Sequence, residues 1–218
     1  MKVSVKIVSF IAAAIAMVLS GLGSGTAIAK EDLRLLVLGD SLAAGYGVAP
    51  AQAFPIKLQA ALVARGHAVR VINAGVSGDT TAGGLARLDW VMGDKPHAVI
   101  VELGANDGLR GLDIRAMRGN LDAILTRFQK ENIKILLTGM KAPPNYGGAY
   151  VRDFDQVFLD LAKQHDVVFY PFFLDGVATS RDLNQSDGVH PNGDGVDIIV
   201  RNILPAVEQL LARIAAAG

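Results

Sequence analysis

The 218-residue chain contains no cysteine and only four histidines, which are His67, His97, His165 and His190. Without thiols it has no disulfide, no thiolate metal site and no cysteine nucleophile. The histidines stand far apart and none belongs to an H-E-x-x-H motif, so we expect no metal dependence. Basic and acidic residues balance at 21 each, which gives no indication of a nucleic-acid partner.

Sequence signatures of nucleotide binding are also missing. Gly45-Tyr46-Gly47 lacks the third glycine of the dinucleotide fingerprint, and no G-x-x-x-x-G-K-[ST] phosphate loop occurs. The nucleophile elbow G-x-S-x-G is absent too. These absences disfavour nucleotide binding and the ordinary α/β-hydrolase fold.

Residues 1–29 have the pattern of a secretory signal peptide. Lys2 and Lys6 precede an uncharged apolar run, and small residues follow it up to Ala27-Ile28-Ala29, an A-x-A cleavage site. A membrane anchor is the alternative, since the run approaches the about 20 residues that span a bilayer. The early start and the small-residue end favour cleavage. We therefore expect a soluble, monomeric, periplasmic or secreted protein with a single domain over residues 30–218.

Beyond residue 33, short apolar runs alternate with longer amphipathic stretches, as in α/β units. Five runs rich in Val, Ile and Leu predict strands buried on both faces: 35–38, 69–72, 98–103, 133–138 and 167–170. The amphipathic stretches predict helices: 52–65, 80–91, 113–130, 150–165 and 194–216. Pro205 should break or kink the last one. The common winding predicts a five-stranded parallel sheet in the order 2-1-3-4-5.

In such a sheet, ligands bind beyond the carboxyl ends of the strands where the winding reverses, here between strands one and three. Three loops rich in glycine and small polar residues meet there: 39–50, 74–80 and 104–112. Ser41 in the first loop could expose its hydroxyl to a substrate. Gly78 lets its backbone N–H approach closely, and Asn106 offers a neutral amide. With the Ser41 N–H they would form a three-donor oxyanion hole.

A serine nucleophile needs a base that accepts its proton. His190 is the candidate, because Asp187 precedes it by three residues and could hold the imidazole in the required tautomer. The 19 residues from Phe172 to His190 are enough to return from an edge strand to the first strand. Each motif alone is more often a plain turn. Their joint position after strands favours a Ser-His-Asp triad.

Four blocks of the sequence resemble those of GDSL, or SGNH, hydrolases: Gly39-Asp40-Ser41-Leu42, Gly78, Gly104-Ala105-Asn106-Asp107 and Asp187-Gly188-Val189-His190. In particular they are similar to a bacterial periplasmic subgroup of thioesterase I, lysophospholipase and arylesterase enzymes. The resemblance implies a three-layer α/β/α flavodoxin-like fold with Ser41 as nucleophile, His190 as base and Asp187 as its orienter. It also implies oxyanion donors at Ser41, Gly78 and Asn106, and hydrolysis of aryl esters, acyl-CoA thioesters or lysophospholipids without a cofactor or metal.

We expect six further residues, from the blocks and from the loop 143–148, to contact the substrate: Asp40, Leu42, Ala105, Asp107, Pro144 and Tyr146. In that loop Pro143-Pro144 adds stiffness and Gly147-Gly148 removes it, so Tyr146 could close over an acyl chain. A plain surface turn is the alternative. Two glycines follow the tyrosine where the family often has bulkier charged residues, so the chain-length preference stays open.

Two other functions remain open. A deacetylase or acyltransferase acting on cell-envelope carbohydrate would use the same chemistry, and the predicted export favours it. A binding module that kept the fold and lost catalysis is the non-enzymatic alternative. The presence of all four blocks disfavours it.

Overall fold

The structure, a computed structural model, describes residues 33–216. The predicted signal peptide, residues 1–29, lies outside the described residues. Five strands form one all-parallel sheet in the order β2-β1-β3-β4-β5, which confirms the predicted winding. Their bounds are β1 (Leu33–Gly39), β2 (Val69–Gly75), β3 (Ala98–Glu102), β4 (Lys134–Thr138) and β5 (Val168–Tyr170).

The helices lie between the strands and after the last one. Their bounds are α1 (Ser41–Ala44), α2 (Phe54–Ala64), α3 (Thr81–Ala86), α4 (Leu88–Met92), α5 (Ala105–Leu109), α6 (Ile114–Lys130), α7 (Gly148–Gln164) and α8 (Gly193–Ala215). Short 3₁₀ turns occupy Pro50–Gln52 and Pro144–Tyr146. Within residues 33–216, no helix combines the length and the apolar character needed to cross a bilayer.

The sheet is the middle of three layers. All five residues of β3 are buried, as expected for a central strand covered by helices on both faces. Helices α2 and α8 pack together on one face, and α3, α6 and α7 pack on the other. The apolar stripe of α6 is buried as its helical spacing predicts, and so are Phe154, Phe158 and Leu161 of α7. The three-layer α/β/α fold is therefore confirmed.

Pro205 does not break the last helix, so the predicted break is wrong. Helix α8 runs unbroken from Gly193 to Ala215. Proline at 205 removes the hydrogen bond to the carbonyl of Arg201, but both residues are exposed, so water can satisfy that carbonyl. Ile203, Leu204 and Val207 are buried on the opposite side of the helix. Their packing outweighs the cost of one missing backbone bond.

The helix predicted over residues 80–91 is instead two short helices that meet at Arg87. The Arg87 guanidinium turns inward and donates to Asp79 Oδ2 at 2.7 Å, to the Ala74 carbonyl at 2.7 Å and to the Gly39 carbonyl at 2.9 Å. It therefore ties together the ends of β1 and β2. The helical periodicity of residues 80–91 does not reveal that the Arg87 side chain binds carbonyls at the ends of two strands.

The register of the sheet sets the position of the functional loops. Gly39 at the end of β1 pairs with Gly75 of β2 on one side and with Glu102 of β3 on the other. The loops that follow these three strands therefore start side by side. This is the edge at which the strand order reverses, where ligands of open α/β sheets bind.

Candidate active site

Ser41 is the first residue of α1, directly after β1 and a single turn residue. Asp40 caps the helix, with Oδ1 accepting a hydrogen bond from the Leu42 N–H at 3.0 Å. A Cβ at Gly39 would overlap the carboxylate of Glu102 and the Ala43 side chain, so only glycine allows this tight approach. Ser41 is 9% exposed. The turn holds its hydroxyl at the floor of a cleft.

The loop between β5 and α8 delivers the histidine to this cleft. Its fold is fixed by Asn184, whose buried amide donates to the Val177 carbonyl at 2.8 Å and the Ser180 carbonyl at 2.7 Å. Gln185 Nε2 donates to the Tyr46 carbonyl at 2.8 Å, which fastens the loop to the segment after α1. These bonds bring residues 149 positions apart in the chain into contact.

Ser41, His190 and Asp187 form one chain of hydrogen bonds. His190 Nε2 lies 3.0 Å from Ser41 Oγ, and His190 Nδ1 lies 2.7 Å from Asp187 Oδ2. Asp187 Oδ1 accepts the N–H groups of Val189 at 2.9 Å and His190 at 3.0 Å. These backbone bonds, with the bond to the imidazole, lower the pKa of Asp187 to about 2. The carboxylate is therefore ionised at neutral pH and can orient the ring.

An aromatic ring lies against the histidine. The centroids of Tyr46 and His190 are 4.6 Å apart, with the ring planes tilted by 42°. Tyr46 itself is 53% exposed. Its ring thus covers one side of the imidazole at the mouth of the cleft.

Asn106 and Gly78 flank the serine from the two neighbouring loops. Asn106 lies in the first turn of α5, and its Nδ2 donates to Asp40 Oδ2 at 3.0 Å, which fixes the orientation of the amide. One N–H of that amide remains for another acceptor. Gly78 has a φ of 81°, in the region that favours glycine, and its carbonyl accepts from Arg110 Nη2 at 2.9 Å. Its N–H has no acceptor within the described chain.

Asp40 is buried although it is a carboxylate. Burial raises the pKa of Asp40 from an ordinary 3.8 to about 6, and the bonds from Leu42 and Asn106 limit that rise. Above this pH the ionised carboxylate joins the turn that carries Ser41 to the Asn106 amide. It lies under the cleft, in contact with the Leu42 N–H and the Asn106 amide.

A cavity of about 600 Å³ opens beside Ser41 and His190. Its size is that of a small-molecule site. Much of its wall is apolar: Leu42, Ala105, Leu109, Met140, Ala142, Pro143, Phe172, Leu174, Ala178 and Val189. Leu42 and Ala105 were expected there from the sequence, whereas Met140, Ala142, Phe172, Leu174 and Ala178, which follow β4 and β5, were not. Their signal was available, since carboxyl ends of parallel strands share one edge, but of the segment after β4 only Pro144 and Tyr146 were predicted to contact the substrate.

Three of the expected substrate contacts lie elsewhere. Asp107 is buried, and its carboxylate accepts from Thr81 N at 2.9 Å and Thr81 Oγ1 at 2.7 Å, which ties α5 to α3. Tyr146 donates from its hydroxyl to the Leu109 carbonyl at 2.9 Å and packs near Tyr150. Neither Tyr146 nor Pro144 lines the cavity, whereas the preceding Pro143 does.

The other three histidines lie away from the triad. His97 Nδ1 accepts the Arg34 N–H at 3.0 Å at the amino end of the sheet, and His67 lies 3.4 Å from Glu208. His165 Nε2 lies 2.7 Å from Asp122 Oδ1, beyond the end of α7. Within residues 33–216, no three histidine or acidic side chains come together in a way that could hold a metal ion.

Known proteins similar to this chain point to one family. Residues 37–198 match the GDSL-like lipase/acylhydrolase family. The esterase TesA of Pseudomonas aeruginosa is 40% identical over 178 residues, which cover 81% of this chain and 89% of TesA. Thioesterase 1/protease 1/lysophospholipase L1 of Escherichia coli is 40% identical over 166 residues, covering 76% of this chain and 78% of that protein.

Solved structures agree with the sequence relatives. The crystal structure of AlinE4, an SGNH-hydrolase family esterase, is 48% identical and superimposes with a TM-score of 0.70 over 83% of this chain and 97% of AlinE4. The crystal structure of TesA superimposes with a TM-score of 0.78 over 81% of this chain and 99% of TesA. The chain belongs to the GDSL-like lipase/acylhydrolase family and is an ester hydrolase.

Proposed function

We propose that the protein is a serine esterase and thioesterase in which Ser41 is the nucleophile, His190 the base and Asp187 its orienter. One observation carries the proposal: the Ser41 Oγ, the imidazole and the Asp187 carboxylate form a continuous line at 3.0 Å and 2.7 Å, beside a cavity large enough for an acyl group. This is the arrangement that activates a serine hydroxyl for acyl transfer.

In the proposed reaction, Ser41 Oγ attacks the acyl carbonyl while His190 Nε2 takes its proton. The tetrahedral oxyanion accepts hydrogen bonds from the N–H groups of Ser41 and Gly78 and from the Asn106 amide. Collapse breaks the bond to the alcohol or thiol, which leaves with the proton from His190. Water, deprotonated by His190, then attacks the acyl-enzyme and releases the acid, so serine and histidine return to their starting states.

The substrate class follows from the cavity wall and from the relatives. The largely apolar wall suits an acyl or aryl group better than a sugar, which needs many polar partners. Relatives bear the names esterase, arylesterase, thioesterase and lysophospholipase. We therefore infer activity on aryl esters, acyl-CoA thioesters and lysophospholipids. A preference for acetylated sugar over medium-chain esters in a rate comparison would favour the carbohydrate alternative instead.

We also propose that residues 1–29 direct export and are removed, leaving a monomeric periplasmic or secreted domain. The basic start, the apolar run and Ala27-Ile28-Ala29 support this. Amino-terminal sequencing of the enzyme from the periplasmic fraction should begin at Lys30. Retention of residues 1–29 in a membrane fraction would instead support an anchor. Light scattering of the mature chain would test the monomer.

Ser41→Ala tests the nucleophile. The variant should lose hydrolysis of p-nitrophenyl esters to near background and should no longer react with a fluorophosphonate probe, while its circular dichroism spectrum stays native. Ser186→Ala is the matched control, because Ser186 is exposed in the loop that carries His190. It should retain both activity and labelling. Hydrolysis by Ser41→Ala at the native rate would exclude Ser41 as nucleophile.

A further inference from the structure

Glu102 is a buried acid that the proposed triad does not use. It ends β3, has no exposed surface, and lies beneath the turn that carries Ser41. Its Oε2 accepts the Asp40 N–H at 3.2 Å, and its carboxyl also accepts the Ala43 N–H. Its Oε1 is buried without any hydrogen-bond partner within residues 33–216. A buried carboxyl with an unpaired oxygen is costly, so its presence requires an explanation.

The N–H groups at the start of α1 supply one. The Asp40 and Ala43 N–H groups go to Glu102, the Leu42 N–H goes to Asp40 Oδ1 at 3.0 Å, and the Ala44 N–H goes to the Asp40 carbonyl at 2.9 Å. The Ser41 N–H alone has no acceptor within residues 33–216. A helix start normally leaves several free N–H groups. Here two carboxyls take up all but the one beside the nucleophile.

Burial disfavours the charged form of both carboxyls. Burial first, and then the charge of Asp40, raise the pKa of Glu102 well above its usual value. The other charged groups near this turn are His190, Asp79 and Arg87, and the Arg87 guanidinium faces Asp79 and the Gly39 carbonyl rather than Glu102. Burial and the neighbouring carboxylate therefore favour the protonated form of Glu102, which accepts hydrogen bonds through its carbonyl oxygen.

We propose that Glu102 is a positioning residue of the oxyanion hole, a neutral carboxylic acid whose carbonyl oxygen holds the Asp40 and Ala43 N–H groups and thereby leaves the Ser41 N–H as the one free N–H at the start of α1. The proposal rests on the proposed role of Ser41. It predicts that the acceptor oxygen matters and the ionisable group does not.

Substitutions at position 102 separate these two properties. Glu102→Gln keeps an acceptor oxygen of the same reach, so its kcat on a p-nitrophenyl ester should stay within about threefold of native, with an unchanged pH–rate profile. Glu102→Leu removes the acceptor. Losing one oxyanion donor typically costs about a hundredfold or more, so kcat should fall by roughly that factor while KM changes by less than about twofold. Glu131→Gln, at an exposed glutamate of the α6–β4 loop, is the control for the chemical change.

The outcomes are distinguishable from failure of the proposed function. If fluorophosphonate does not label Ser41 of the native enzyme, the proposed function is wrong and Glu102 is not the cause. If native Ser41 is labelled but Glu102→Gln loses as much kcat as Glu102→Leu, or shifts the pH–rate profile, the neutral-acceptor role is overturned. A folded Glu102→Leu with native kcat overturns it too. Should Glu102→Leu not fold, Glu102→Gln still decides through kcat and its pH profile.

Discussion

Replacing Asp187 by asparagine should leave the fold intact and yet remove most of the activity. The side chain keeps its size, but one of its oxygens becomes an NH₂ group. Asp187 now accepts two backbone N–H groups through Oδ1 and the imidazole through Oδ2. An asparagine can satisfy only one of these sides with its single oxygen. The oxygen of the introduced asparagine can therefore accept either the loop N–H groups or the imidazole N–H, but not both.

The hydrogen bonds decide that choice. Turning the oxygen toward the backbone keeps two bonds, each worth about 1 kcal/mol net, whereas the opposite orientation leaves two N–H groups of the loop unpaired. The NH₂ group of the introduced amide then donates to His190 Nδ1, so the ring proton moves to Nε2 and faces Ser41 Oγ. A base in that tautomer cannot accept the serine proton. In the best-studied triad the same change costs about 10⁴-fold, or about 5.5 kcal/mol of transition-state stabilisation.

The assay is kcat/KM on a p-nitrophenyl ester at pH 7 to 8, together with thermal unfolding. Asp187→Asn should fall by about three to four orders of magnitude with a melting temperature within a few degrees of native. Asp166→Asn is the matched control, because Asp166 is exposed and lies beyond α7, far from the cleft. A folded Asp187→Asn within tenfold of native activity would refute the role assigned to Asp187 and the argument from the tautomer.

Two further predictions concern stability. Since the pKa of Asp40 is raised from 3.8 to about 6, the folded protein binds a proton between about pH 6 and 4 that the unfolded chain does not, so stability from this residue rises as the pH falls. The free energy of unfolding of native protein relative to Asp40→Asn should increase by on the order of 3 kcal/mol from pH 7 to 4 in urea titrations, and a constant difference would contradict this. Thr179 in the cavity wall has a φ of 67°, a backbone conformation that glycine adopts without strain. The melting temperature of Thr179→Gly should therefore match or exceed that of the native protein. Thr126→Gly is the control, and it should lower the melting temperature because Thr126 lies within α6.

Much of the fold was predictable because its signals are local. The strands are short apolar runs buried on both faces, and the order 2-1-3-4-5 follows from the handedness of the crossovers. The break predicted at Pro205 does not occur, because a missing backbone N–H destabilises a helix little where water can satisfy the carbonyl left unpaired. Pro205 lies on the exposed side of α8, and the packing that decides which side is exposed cannot be read from the sequence. The division at Arg87 likewise depends on carbonyls contributed by β1 and β2.

The part of the candidate site that could be predicted consists of the residues directly after β1 and β3 and of the Asp187–His190 block. Ser41, Asn106 and His190 lie where the strand order brings them. Asp107 illustrates the limit. It is adjacent in sequence to Asn106, but the helical turn of α5 directs its carboxylate to Thr81 instead of the cavity. Residue type and loop position do not specify the direction in which a side chain points. That direction decides whether a residue such as Asp107 contacts the substrate or holds two helices together.

The two hydrogen bonds that Asp40 accepts explain why a carboxylate is buried in this site. One oxygen accepts the Leu42 N–H and so shapes the turn that carries Ser41, and the other holds the amide of Asn106. A neutral side chain such as asparagine has one acceptor oxygen and could make only one of these bonds without conflict. Burying this charge is unfavourable, as the raised pKa of Asp40 shows, and in return one group fixes two parts of the proposed oxyanion hole. Burial and this neighbouring charge together raise the pKa of Glu102, because two adjacent buried anions would repel each other through a poorly screened interior.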